Sequence, residues 1–198
     1  MPGRGDFRDG FHRMRAWLLR VTAVLAAVSG ALAAEPLPAA PAGFTWSRLA
    51  EIRADLLVPT GWKLSRQKKG DSETYHLAGP KSGAGAGAAF DINWVPEVTK
   101  KTAMSPSKYA AGLVSAASDS HKLLDKKSSS TGVFATASFR YADSGKGRDG
   151  MMVSYEFLAN DRTGSLYIVA FEAPAATWAD AWAVGKVLFE NLRLDPVL

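Results

Sequence analysis

The 198-residue chain has no cysteine. That excludes a disulfide framework, a thiolate nucleophile and the modified cysteine of a lipid-anchored bacterial precursor, so stability must come from an ordinary core. Histidine is almost as scarce, with three residues, of which His12 lies near the N-terminus and only His76 and His121 remain beyond it. His76 falls in a strand-like stretch and His121 at a strand start. A catalytic base needs an orienting partner, and no local constellation supplies one, so both read as structural or surface histidines. No Gly-x-Ser-x-Gly elbow is present either. No catalytic residue is therefore assigned, and no enzyme activity is expected. Long apolar runs are also missing. The run from Val21 to Ala33 is 13 residues and Arg20 bars its extension, whereas a membrane span needs about 20. Excess charge is lacking too. The formal charge is +5, but residues 1–33 hold five Arg and two Asp, leaving 19 basic and 17 acidic groups and a charge of +2. The Lys68-Lys69, Lys100-Lys101 and Lys126-Lys127 pairs flank strands or turns and make no clustered stripe, so nucleic acid is not an expected partner.

The N-terminus carries an address. Arg13, Arg15 and Arg20 precede the apolar run, which closes on Ala31-Leu32-Ala33 before Ala34-Glu35-Pro36. A basic region, a run of about 7–15 apolar residues and an A-x-A site compose a secretory signal peptide. Residues 1–33 are thus expected to be a cleaved leader, with Met14 as an alternative start. The mature protein is expected to be periplasmic or secreted, without stable membrane insertion. Permanent anchoring is the weaker alternative on length. Residues 34–43 form a Pro/Ala linker, and 44–198 a single domain of a size that buries roughly 70% of its unfolded surface.

Within that domain, Phe44 to Ile52 admits a strand or a short helix. Leu56-Leu57-Val58 reads as a strand stopped by Pro59, turned at Thr60-Gly61 and anchored by Trp62. Strands are expected at Trp62–Arg66, Asp71–Leu77 and Ala89–Val95, the last alternating through Phe90, Ile92 and Trp94. Ser105-Pro106 caps a helix with Tyr109, Leu113 and Ala116/Ala117 as its apolar stripe. A weak strand pattern at Lys122–Ser129 follows. Clean alternation then marks Val133–Tyr141 and Met151–Phe157, and Leu166–Phe171 is apolar on both faces. The intervening turns at Asp143–Gly147 and Asn160–Gly164 suit antiparallel hairpins. A last helix starts at Thr177, with Asp180 completing a capping box, and presents Trp178, Trp182, Gly185, Phe189 and Leu192 on one stripe. The fold class is α+β: a mostly antiparallel sheet of about six strands with helices packed on it.

Two glycine-rich stretches fail as phosphate sites. Ser82-Gly-Ala-Gly-Ala-Gly-Ala88 precedes a strand, where a dinucleotide fingerprint needs a helix. Gly145-Lys146-Gly147 lacks the Ser/Thr that holds magnesium in a P-loop. No cofactor is expected. Metal binding is the alternative chemistry. Asp91 and Asn93 share one strand face, and His76 pairs with them if Gly79–Gly87 is a hairpin loop, so oxygen and imidazole ligands converge. The competing reading is the solvated side of a half-covered sheet. Of five tryptophans beyond the leader, Trp178 and Trp182 are explained by helix packing and Trp94 by the strand alternation. Trp46 and Trp62 are the candidates for a partner surface, with core anchoring as the alternative for Trp62.

The Val58-Pro-Thr-Gly-Trp62 corner, the Ser-Pro-capped helix, the meander and the closing Asn191-Leu-Arg-Leu194 resemble the PsbP/Mog-like superfamily over Phe44 to Asp195. With the leader, the resemblance points to its exported bacterial DcrB-like branch. It implies a scaffolding or binding role, as an assembly factor for another envelope protein or a small ligand, and carries no shared catalytic set. A divalent-metal protein, possibly hydrolytic, is the alternative.

Overall fold

Pro59 to Trp62 is a corner between two sheets. The computed structural model describes residues 36–80, 87–143 and 150–195. The leader, the centre of the Gly/Ala loop and the Ser144–Gly147 part of the 143–147 turn lie outside them. Strand β2 (Ala54–Pro59) pairs antiparallel with β1 (Phe44–Leu49) and with the short β10 (Arg193–Leu194), making a three-stranded sheet. After the corner the chain enters a seven-stranded antiparallel sheet. Its strands are β3 (Lys63–Lys69), β4 (Ser72–Ala78), β5 (Ala89–Val95), β6 (Leu124–Thr131), β7 (Phe134–Asp143), β8 (Met151–Asn160) and β9 (Ser165–Pro174), in the order β3-β4-β5-β9-β8-β7-β6. At the corner, the Trp62 amide donates to the Pro59 carbonyl at 3.1 Å. Gly61 holds φ at +82°, where a side chain is disfavoured. The α+β class stands, but the expected sheet of about six strands is a sheet of seven with a second of three.

The large sheet separates two cores. On one face, Leu77, Phe90, Ile92, Tyr167, Val169 and Phe171 pack against Leu49, Leu56 and Leu57 of the small sheet, Ile52 of the 3-10 turn between β1 and β2, and Leu188 of helix α3 (Trp178–Asn191). On the other, Phe139, Val153, Phe157 and Leu166 pack under Val98 of α1 (Val98–Thr102) and Ala110 and Val114 of α2 (Pro106–Ser120). Strand β9 serves both faces, as its unbroken apolar run requires. The buried stripe of α2 is Pro106, Ala110 and Val114, one residue round from the expected Tyr109, Leu113 and Ala117, which flank it; Ala116 is exposed. Ala110 faces the sheet because a small side chain lets the backbone approach.

The start of α2 is gripped from outside as well as capped. Ser105 Oγ accepts from the Lys108 amide at 3.4 Å. Asp161, in the β8–β9 turn, accepts from the Ser107 amide at 2.8 Å and from its hydroxyl at 2.6 Å. A carboxylate there also meets the positive end of the helix dipole. The capping box expected at Thr177 is absent. A 3-10 turn at Ala175–Thr177 leaves Thr177 at φ −114°, ψ 10°, away from the extended conformation of a cap, and its hydroxyl donates to Pro174. Helix α1 was not expected; its five residues are too few to show periodicity.

Phe171 is the contact point of α3. Its ring meets Trp178 and Trp182 edge-on, each at 5.7 Å between centroids. A Cβ built on Gly185 would lie 3.0 Å from the same ring. The small sheet is tied to the large one by charge: Glu51, in the 3-10 turn after β1, accepts from Arg66 and from the Tyr75 hydroxyl. Arg66 Nε also donates to the buried Glu73 at 2.9 Å.

Two predictions follow from this packing. Gly185→Ala should destabilise the fold by about 1–3 kcal/mol in urea denaturation, although Ala is the better helix former, because Phe171 has no room to yield. The Arg66 hydrogen bond holds the Glu73 carboxyl below its ordinary range. The stability it confers is therefore present above the ordinary carboxylate range and is lost as pH falls through the depressed value. Arg66→Gln should lower the melting temperature at neutral pH and flatten its decline in acid.

Candidate functional site

Helix α3 covers only part of its sheet face. Beyond it, β6, β7 and β8 floor an open groove of about 410 Å³. Sheet alternation sets the floor. On β7, Phe139 and Tyr141 turn into the α2 core, so Ser138 and Arg140 face the groove; on β8, Phe157 turns away and Ser154 and Glu156 face it. The register places Arg140 opposite Ser154, and Ser138 opposite Glu156. Trp182, Lys186, Phe189 and Glu190 of α3 form one wall, and Asp125 and Lys127 of β6 the opposite rim.

Most charges in the groove are matched. Arg140 pairs with Asp125, and its guanidinium carbon lies 5.7 Å from the centre of the Trp178 ring. The Arg140 Nε is buried without a hydrogen-bond partner. Lys186 pairs with Glu190 at 3.7 Å, one helical turn on. Glu156 has neither an ion-pair nor a hydrogen-bond partner among the described residues, and burial pushes its carboxyl above the ordinary range. The side chains of Ser138 and Ser154 likewise have no partner among the described residues.

A second groove, about 390 Å³, lies on the other face under the end of α2. It is lined by Leu113, Ala117 and aromatic rings of β7 and β8. Tyr141 and Tyr155 lie parallel within 3°, and His121 stacks on Tyr141 at 4.1 Å. His121 caps α2 in an extended conformation, so it ends a helix and does not start a strand; β6 begins at Leu124.

The structure brings His76, Asp91 and Asn93 to one sheet face. His76 and Asp91 are directly opposed, and His76 Nδ1 lies 2.7 Å from Asp91 Oδ1. Thr74 donates to Asn93 Oδ1 at 3.3 Å. His76 thus has the orienting carboxylate that local sequence did not reveal. Ser65, the nearest hydroxyl across the sheet, donates to the His76 carbonyl at 3.3 Å and not to its ring. Among the described residues, no three His, Cys, Asp or Glu side chains gather in a metal-sized group.

Trp46 and Trp62 are half-buried and pack on the first core. Arg193 lies over Trp46 at 5.9 Å. Trp62 covers Gly79, where a Cβ would come within 3.0 Å of its ring and 2.9 Å of the Ala88 carbonyl.

The groove residues Ser138, Arg140, Ser154 and Glu156 went unnoticed in the sequence because they are the polar members of alternating strands, which ordinarily face water. The available signal was the tryptophan-rich helix. A face that must receive Trp178 and Trp182 yet carries Arg and Glu is only partly covered.

Glu156 yields a prediction of its own. A raised folded-state value means that ionised Glu156 opposes folding above that value and makes no difference below the unfolded one. Glu156→Gln should therefore raise the melting temperature at neutral pH, with the gain vanishing in acid.

No family model matches the chain, and no curated protein matches it. Among solved structures, the cyanobacterial PsbP (CyanoP) of Synechocystis sp. PCC 6803 is similar with 10% identity, covering 82% of this chain and 98% of that one at a TM-score of 0.52. The Saccharomyces cerevisiae Ran-binding protein Mog1p is 10% identical over 76% of this chain and 95% of its own, with a TM-score of 0.49. PA94 of Pseudomonas aeruginosa, described as a protein of unknown function and putative regulator, is 19% identical over 77% and 98%, with a TM-score of 0.46. The likeness to PsbP shows the fold and no more: the chain has a PsbP-like α+β architecture.

Proposed function

We propose that the chain is an exported, non-enzymatic binding or assembly-factor domain of the DcrB-like kind, acting in the periplasm or outside the cell on another envelope protein or a small ligand. The groove beside α3 carries this reading. Its floor presents Glu156, Ser138 and Ser154 without partners among the described residues, between the aromatic wall of α3 and the charged rim of β6. Half-buried polar groups on the floor of an open groove are suited to recognition, because a ligand can satisfy them directly. The leader motif supports export, and no helix among the described residues is long and apolar enough to cross a membrane. The half-buried Trp46 and Trp62 rings, away from this groove, are proposed as a separate part of the partner surface.

The test is in three parts. The exported protein should begin at Ala34 by N-terminal sequencing and be recovered from the periplasm or medium; a full-length cytoplasmic protein overturns the address. Crosslinking in envelope extract should capture a partner or ligand that Arg140→Ala releases, and capture unaffected by that change removes the groove. Calcium, manganese or zinc should leave the melting temperature unchanged. A rise that His76→Ala abolishes makes the chain a metal-binding protein instead, since a ligand specific to the folded state must stabilise it.

A further inference from the structure

The charge pattern of the groove narrows the ligand, given that the groove is the binding site. Six charged groups face it: Asp125 and Lys127 from β6, Arg140 from β7, Glu156 from β8, and Lys186 and Glu190 from α3. Four are matched in the Asp125–Arg140 and Lys186–Glu190 pairs. Of the two that remain, Lys127 is exposed on the outer strand, whereas Glu156 is on the floor, beside Val169 of the central strand on one side and Ser138 on the other. Arg140 is a diagonal neighbour of Glu156 across β7 and β8, yet its guanidinium is engaged by Asp125 and lies over Trp178. Among the described residues, the inner carboxyl is thus left without a paired cation.

We infer that Glu156 is the recognition group of a site for an organic cation, a primary ammonium on an aliphatic stem. The ammonium has three donors, and Glu156 with the hydroxyls of Ser138 and Ser154 offers acceptors on adjacent floor positions. Trp182 and Phe189 line the same space, and their ring faces attract a cation while their area covers the stem. An anion fits poorly on the floor: Arg140 and Lys186 are already paired, the unmatched Lys127 is exposed on the outer strand, and the anion would face Glu156. The cavity of about 410 Å³ is in the range of small-molecule sites.

Isothermal titration of the whole chain with 1,4-diaminobutane tests this, with 1,4-butanediol as the neutral isostere, succinate as the anionic one, and a lysine-containing tripeptide as a peptide-borne ammonium. The diamine should bind and the diol and succinate should not. Glu156→Gln, checked for folding by its melting temperature, should weaken the diamine tenfold or more. Between about pH 4.5 and 8 the ammonium stays charged, so affinity should climb as Glu156 ionises, and the climb should disappear in Glu156→Gln. A tripeptide that binds more tightly than the diamine assigns the ammonium to a lysyl side chain; the reverse assigns it to a free amine. Diamine binding unchanged by Glu156→Gln, succinate binding in its place, or no binding of any probe overturns the inference. If the probes fail while Arg140→Ala still releases a captured partner, the groove remains a binding site and only its cation specificity falls.

Discussion

The contact between Phe171 and Gly185 is the constraint on which the rest of the structure depends. Strand β9 is the centre of the large sheet, and Phe171 is the point at which α3 touches it. Without a side chain at Gly185 the helix backbone sits against the ring, and Trp178 and Trp182 close on it from one side, stacked on each other at 5.2 Å. This fixes both the height and the position of α3. The helix also packs on β2 of the small sheet, so the same contact sets the second layer of the first core. Placing α3 over β9 rather than over β7 leaves the outer half of the sheet without a cover.

That uncovered half explains the odd chemistry of β7 and β8. Their α2-facing side is an ordinary aromatic core. Their other side is neither core nor fully solvated: Ser138, Arg140, Ser154 and Glu156 lie in the lee of a tryptophan-rich helix, where water is partly excluded and an unpaired carboxyl resists ionisation. A continuous apolar cover would have paired or replaced these groups, and an open face would have hydrated them. The intermediate setting makes them informative.

Much of the scaffold was legible in the sequence. The Val58–Trp62 corner, the capped α2, the alternating strands and the apolar β9 each rest on a local rule of period or turn chemistry. The nearness of His76 to Asp91 and Asn93 was legible as a possibility in the Gly79–Gly87 loop, whereas the register that sets His76 opposite Asp91 was not. What could not be read is what depends on distant pairing. Completing the small sheet requires β10 to meet β2, and local periodicity carries no trace of it. The α2 stripe was misplaced by one residue because Ala110 contributes little to a hydropathy pattern yet much to close packing. The groove was missed because its existence depends on where α3 stops, which no single strand encodes.

The strand order also dictates when the molecule can become whole. Strands β3 to β5 form one run of neighbours and β6 to β9 another, each foldable from local hairpins. They join only where β5 meets β9, setting Phe90 beside Phe171, and the small sheet is complete only when Leu194 reaches Ala54. Such closures carry a large loop entropy and come late. Strand β9 is therefore the latch of the large sheet: a chain synthesised only as far as β8 has two unfinished halves and no way to fasten them.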